Sequence, residues 1–143
     1  MNIQIATSQA EIDDAFYVRM VVFVEEQHVP PEEELDDFDQ ESIHFIGYEN
    51  KMPIVASRLR FVDNYGKLER ICVLKEARGK SYGKQMIKEM EAVIEKHGYT
   101  RAKLNAQTHA IAFYERLGYT VISEEFIDAG IPHVTMLKEL VNR

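Results

Sequence analysis

Three strand-like runs follow one another with no helix between them: IHFIGYE (43–49), IVASRLRF (54–61) and KLERICVL (67–74). They are rich in β-branched and aromatic residues and are joined by ENKMP, a hairpin-length connection, and by the turn residues DNYG. Connections this short hold consecutive strands side by side, so the chain must build a sheet at its centre. The pattern then changes period. From Ser81 to His97 the residues Met86, Ile87, Met90, Val93 and Ile94 recur at helical spacing, and Gly98 stands where a C-terminal cap belongs. Upstream, NIQIA reads as a short strand, and Ser8 with Glu11 has the spacing of a capping box. Ile12, Phe16, Met20 and Phe23 continue from that box as an amphipathic helix. Downstream come the strand TRAKLNAQ, a short helix HAIAFYERLG stopped by Gly118, and the strands YTVISEEF and HVTMLKEL. The order β, α, three β, α, β, α, β, β describes a mixed α/β layer, expected as one domain over 1–143 with no repeat or linker.

Composition narrows the function. With 45% hydrophobic and 29% charged residues and no apolar run near 18 residues, a membrane span is not expected. The first residues lack the basic flank and apolar core of a signal peptide, which predicts a cytoplasmic protein. A net charge of -7 disfavours nucleic acid as a partner. Residues 75–88 nevertheless balance at +4, leaving the rest of the chain at -11. A local basic site in an acidic protein suits one small anionic ligand. The single cysteine, Cys72, cannot form an internal disulfide, and within ICVL it reads as a small buried hydrophobe rather than a nucleophile. The five histidines have no metal-ligand spacing, so no metal is expected.

The basic stretch is VLKEARGKSYGKQMI (73–87), where a strand passes through a glycine-bearing loop into a helix. Amide N–H groups at a helix start lack intrahelical partners and sit at the positive end of the helix dipole, a combination that binds phosphate. Gly79 and Gly83 would let the backbone approach a ligand, while Arg78, Lys80 and Lys84 add charge. The nucleotide P-loop is not met, because Leu74 stands where that pattern needs glycine, and two glycines four apart do not make G-x-G-x-x-G. The pattern R/Q-x-x-G-x-G/A does fit, reading Arg78, Gly79, Lys80, Ser81, Tyr82, Gly83, with Ser81 in a position that prefers glycine. An ordinary basic turn could carry the same letters.

Together with NAQTHAIAFYERLGY (105–119), a strand end followed by a helix bearing F-Y-x-x-x-G-Y, this loop resembles the GNAT superfamily of acetyl-coenzyme A dependent N-acyltransferases. The segments RMVVFVEEQHVP, LERICVL, LNAQTHAIAFYERLGY and DAGIPHVTM are similar to a branch of small bacterial members, the ElaA-like and YjcF-like proteins. The resemblance implies an α/β fold with a mixed, mostly antiparallel sheet flanked by helices and splayed between its fourth and fifth strands. It implies acetyl-coenzyme A as co-substrate and acetyl transfer to a primary amine of a small molecule or peptide by direct attack in a ternary complex. By the same resemblance, the backbone of Ile71, Cys72 and Val73 holds the pantetheine and acetyl groups. The amides of Gly79, Lys80, Ser81, Tyr82, Gly83 and Lys84 take the pyrophosphate, and Asn105 contacts the cofactor arm. Tyr114 donates a proton to the leaving thiolate; it also reads as an aromatic packed beside Phe113.

An amine with lysine's pKa of about 10.4 costs on the order of 4.6 kcal/mol to deprotonate at pH 7, so a base is expected. Glu69 is the first candidate. Strict alternation puts it on the face of Ile71 and Val73, an odd place for a carboxylate unless the strand opens there into a polar cleft; otherwise it pairs with Arg70. Glu26 and His133 are the reserves, expected close to the substrate. The segment 25–41 holds nine acids and no Lys or Arg. Glu32, Glu33, Glu34, Asp36 and Asp37 read either as a lure for a cationic amine or, more simply, as a solvated surface. A non-catalytic acyl-coenzyme A binding or sensing protein would keep the loop and dispense with Tyr114 chemistry, and acyl-homoserine lactone synthesis shares the start at Arg19. The acceptor, and the pairing of two chains as a homodimer, stay open at this point.

Overall fold

The central meander forms as its short connections require. The computed structural model describes residues 2–140, and in it β2 (Ile43–Glu49), β3 (Met52–Val62) and β4 (Tyr65–Val73) pair antiparallel in succession. β1 (Asn2–Ile5) adds to the outer edge of β2. On the other side β4 meets β5 (Arg101–Gln107) in parallel, and β5 pairs antiparallel with β8 (Ile131–Glu139). Two short strands, β6 (Thr120–Val121) and β7 (Phe126–Asp128), both pair with β8. A single strand was expected over 119–126. The interruption has a local cause: the Ser123 hydroxyl accepts the Thr135 amide at 2.8 Å, taking the ladder position that a strand carbonyl would fill.

Helices cover both faces. α1 (Gln9–Arg19) starts at the expected box, with the Ser8 hydroxyl accepting the Glu11 amide at 3.2 Å and the Glu11 carboxylate accepting the Ser8 amide at 3.1 Å. It continues as a π-helix over Met20–Glu26, whose wider turn swings Glu26 and Gln27 toward the sheet's open end. The acidic segment then folds into α2 (Pro31–Glu34), with Pro31 at a first-turn position that needs no amide donor, and a 3₁₀ turn over Asp37–Glu41. On the opposite face α3 (Tyr82–Lys96) buries Met86, Ile87, Met90 and Ile94 against the sheet. Ile94 lies so close to Gly66 of β4 that a Cβ there would fall 2.4 Å from it, which explains a glycine inside a strand. α4 (Ile111–Arg116) follows β5. No helix among the described residues is long and apolar enough to cross a membrane.

The parallel pairing of β4 and β5 is brief. It joins Gly66, Lys67 and Leu68 to Ala102, Lys103 and Leu104 and then stops, so the sheet splits over the C-terminal halves of both strands. The separation leaves one edge of β4 from Glu69 onward without a strand partner.

Candidate functional site

The split opens into a cleft of about 1190 Å³. Ile71, Cys72 and Val73 line one wall, Asn105 and Gln107 the other, and Phe113 and Tyr114 of α4 close one end. The loop from Arg78 to Lys84 forms a further side, while Glu26, Glu69 and His133 also face the cleft. Of the residues expected at the site, only the Lys80 side chain turns elsewhere: its ammonium is 3.6 Å from Glu49, which also accepts the Tyr82 hydroxyl.

The loop is built to leave donors unspent. Arg78 donates its amide to the Lys75 carbonyl, and the next amide in the chain to find a backbone acceptor is that of Gln85, bonded to Ser81. The six amides from Gly79 to Lys84 donate to no carbonyl or side chain among the described residues. Ser81 caps α3 without a side-chain bond and has φ 67°, ψ 20°, in the left-handed region. The preference for glycine at this position therefore has a steric reason, and serine occupies it at a cost of about 1–2 kcal/mol. Gly79, with φ 83°, has open space where a Cβ would stand, and a Cβ on Gly83 would meet only Phe113 and Val73 at ordinary contact distance. A multi-oxygen anion fits such a cradle: uncommitted amides at the positive end of a 15-residue helix, with Lys84 beside them. Arg78 is engaged already, donating to the Val73 carbonyl at 3.0 Å and to both Glu26 oxygens at 2.7 Å. The Arg78 hydrogen bonds lower the Glu26 pKa.

The strand wall corrects one expectation. Arg58 pairs with Glu69 and Ala56 with Cys72, so two residues of β4, Arg70 and Ile71, stand opposite the single Ser57 of β3. The extra residue is a bulge, and Arg70 takes φ 56° there. Since Arg58 and Ala56 share a face of β3, Glu69 shares its face with Cys72, while Val73, opposite Val55, lies on the other. Strict alternation had put Glu69 with Ile71 and Val73. Cys72 is 5% exposed, and burial pushes its thiol up to about 12, so it stays protonated.

Glu69 faces the cleft inside a dense ion network. Its Oε1 accepts from Arg58 at 2.8 Å and from Arg60 at 2.9 Å, its Oε2 accepts from Arg60 at 3.2 Å, and the Lys67 ammonium lies 3.3 Å away. Burial would raise its carboxyl, but the Arg60 hydrogen bonds and the charges of Arg58 and Lys67 prevail and lower it to about 2. The same network absorbs much of the acidic segment. Glu34, 1% exposed, pairs with the fully buried Arg19 and with Arg70; Asp36 pairs with Arg58 and Arg70; and Asp39 pairs with Arg19 and Arg58. These acids are internal counter-charges rather than a solvated surface. Glu32, Glu33 and Asp37 remain exposed.

The far wall carries the remaining polar groups. Asn105 Oδ1 accepts the Thr135 hydroxyl at 2.8 Å. His133, opposite Gln107 in the β5–β8 ladder, is 8% exposed and stacks on Phe126. Its Nδ1 lies 2.7 Å from the Ile131 carbonyl, which can only accept, so Nδ1 carries a proton and Nε2 is the ring nitrogen left without a partner among the described residues. The Tyr114 hydroxyl has no hydrogen-bond partner among the described residues, and burial pushes the phenol up to about 12. A polar chain unforeseen in the sequence links the two sides: Gln107 donates to Gln27 at 2.9 Å and lies 2.7 Å from His109. Among the described residues no group of three His, Cys, Asp or Glu side chains could hold a metal ion.

Residues 7–140 match the family model of the acetyltransferase (GNAT) domain. The chain is 49% identical to Bacillus subtilis YjcF, called an uncharacterized N-acetyltransferase, over 97% of this chain and 100% of that protein. Its fold superposes with TM-score 0.91 on a solved Lactobacillus plantarum structure that is 29% identical and covered to 98% in both chains. A GNAT family acetyltransferase from Elizabethkingia anophelis with acetyl-CoA bound has the same fold at 15% identity, with TM-score 0.77 and 97% of each chain covered.

Proposed function

For this chain, which belongs to the GNAT acetyltransferase family, we propose acetyl transfer from acetyl-coenzyme A to a primary amine of a small molecule or peptide by direct attack in a ternary complex. The observation that carries the reading is the run of uncommitted amides from Gly79 to Lys84 beside the split between β4 and β5. Six donors at one helix start suit the oxygens of a pyrophosphate, and the unpartnered edge of β4 at Ile71 to Val73 suits the amides of a pantetheine arm lying as an added strand. Asn105, across the split, supports the same arm. The co-substrate supplies an acetyl carbon activated as a thioester.

We assign the amine's proton to His133 Nε2, whose ring is fixed by the Ile131 carbonyl. Glu69, held at about 2, is a poor proton acceptor, and its part is to keep Arg58, Arg60 and Lys67 in place. Glu26 lines the cleft, where its bond to Arg78 couples the π-helix to the loop. Tyr114, raised to about 12, keeps its proton. Full transfer to a thiolate of pKa about 8.5 would run uphill by on the order of 5 kcal/mol, so Tyr114 acts as a hydrogen-bond donor to the sulfur as the C–S bond breaks. The nitrogen gains the acetyl carbon and gives up its proton to His133, the C–S bond breaks, and the leaving thiolate, held by the Tyr114 hydrogen bond, takes up a proton from water; no acyl-enzyme intervenes.

Acetyl-coenzyme A binding measured by calorimetry, alongside thiol release over a panel of amines, tests this. Binding together with amine-dependent release is the expected result. No binding, or no release above hydrolysis with any amine, overturns it; binding without release favours a sensor.

A further inference from the structure

The substrate end of the cleft has spent its acceptors and kept its donors. Each Glu69 oxygen already meets two cationic groups. Asp36 Oδ1 accepts from Arg58 and the Phe38 amide, and its Oδ2 accepts from Arg58 and Arg70. A carboxylate offers about four lone-pair sites, so neither has capacity left for a substrate ammonium. The donors are not exhausted. Arg60 bonds Glu69 through Nε and Nη2 only, with its guanidinium 3.9 Å over the Phe38 ring, which leaves Nη1 without a partner among the described residues. Arg70 likewise uses Nε and Nη2, and Lys67 makes one contact, at 3.3 Å. All three residues line the cleft. The formal charges agree: Arg19, Arg58, Arg60, Lys67 and Arg70 face Glu34, Asp36, Asp39 and Glu69, five cations against four carboxylates in mutual contact. Glu32 and Glu33 also line the cleft, but they are exposed, where water and salt screen them.

We propose that the acceptor is an amine that also carries an oxyanion, a carboxylate or a phosphate, held by Arg60, Lys67 and Arg70. The inference rests on the acetyl transfer proposed above and adds the class of acceptor. Lys67 lies six residues before Val73 on β4, about 20 Å at strand rise, so this anion site is separate from the amide cradle at Gly79 to Lys84. A guanidinium fork matches a carboxylate or phosphate in two points, and it would fix the acceptor's orientation with its nitrogen toward the split. Polyamines, whose every group is a cation, are poor fits to such a wall.

The test compares the common amino acids with their carboxamides, and phosphoethanolamine with ethanolamine, as acceptors, with spermidine as the polycation. In the best pair the anionic member should have kcat/KM at least about tenfold higher. Lys67→Gln should raise the KM of that acceptor about tenfold and leave the KM of acetyl-coenzyme A unchanged. Amino acids or phosphoethanolamine leading the series tells carboxylate from phosphate. The proposal is overturned if spermidine or the neutral partners turn over best, or if Lys67→Gln affects anionic and neutral acceptors alike. Should no thiol be released, calorimetry with the same compounds, with and without coenzyme A, still decides. Binding of an anionic amine to the parent that weakens in Lys67→Gln supports the site while the transfer reading fails, and no binding overturns the site itself.

Discussion

The two ends of the cleft are built by opposite means. At the loop end the chain withholds partners, leaving six backbone amides free by means of a left-handed serine and two glycines. At the other end it saturates side chains, seating Arg19 and Arg58 among carboxylates from α2, the 3₁₀ turn and β4. One end is poised for a ligand by its free backbone amides, the other is held rigid by carboxylates with no capacity left, and keeps spare donors only on Arg60, Lys67 and Arg70. A ligand at the loop should therefore add stability, whereas at the network stability is already invested in the fold.

The contrast can be broken most severely at Arg58. Arg58→Ala strands Asp36, Asp39 and Glu69 without their shared cation and should lower unfolding free energy by about 3–5 kcal/mol in urea titrations, while a loop variant such as Lys80→Ala stays near the parent. Acid attacks the same end in steps. Glu69 and Asp39 hold their charge in the fold down to about 2, against ordinary values of 4.5 and 3.8, so below pH ~5 the unfolded chain binds more protons than the native one. The share of stability these two carboxylates supply should be constant above that pH and fall progressively toward pH 2; a profile flat between pH 5 and pH 2 would dissolve the network's assigned role.

The distinction sharpens through Tyr114→Phe, expected to reduce kcat about 10²-fold with coenzyme A affinity kept, since only the hydroxyl is removed. Ser81→Gly should raise stability by about 0.5–1 kcal/mol, the left-handed strain relieved less the added freedom of the unfolded chain. The smallest effect is reserved for the exposed pair of Arg78 with Glu26. Glu26→Gln should change unfolding free energy by less than about 1 kcal/mol despite contacts of 2.7 Å, because both partners are more than a third exposed.

The two ends also differ in how far they could be read from the sequence. The loop is local: a strand, a basic turn and a helix lie within 15 consecutive residues, so glycine spacing, charge and helix period all speak about the same place. The meander and α3 were legible on the same grounds, whereas the split between the fourth and fifth strands was implied by the GNAT resemblance alone. The network joins residues 19, 34, 36, 39, 58, 69 and 70, brought together only by tertiary folding, and the run of nine acids read equally well as surface. A signal was present in the cations instead. Arg19 interrupts an apolar helix face and Arg58 sits in the buried run IVASRLRF, and such guanidinium groups need carboxylates from somewhere. The face of Glu69 was misjudged because a bulge leaves no mark in residue type that alternation alone can detect.

That bulge makes the number of residues between Glu69 and Val73 as informative as their identity. A β-branched residue in place of Arg70 would disfavour φ 56° and straighten the strand at unchanged length: β4 would return to strict alternation, and either Glu69 or Cys72 would have to exchange faces. A carboxylate would then be driven toward α3, or a cysteine and the cleft edge behind it turned away from the coenzyme. Substitutions along this stretch are bounded by chemistry and, at Arg70, by the one backbone torsion that keeps the two faces in step.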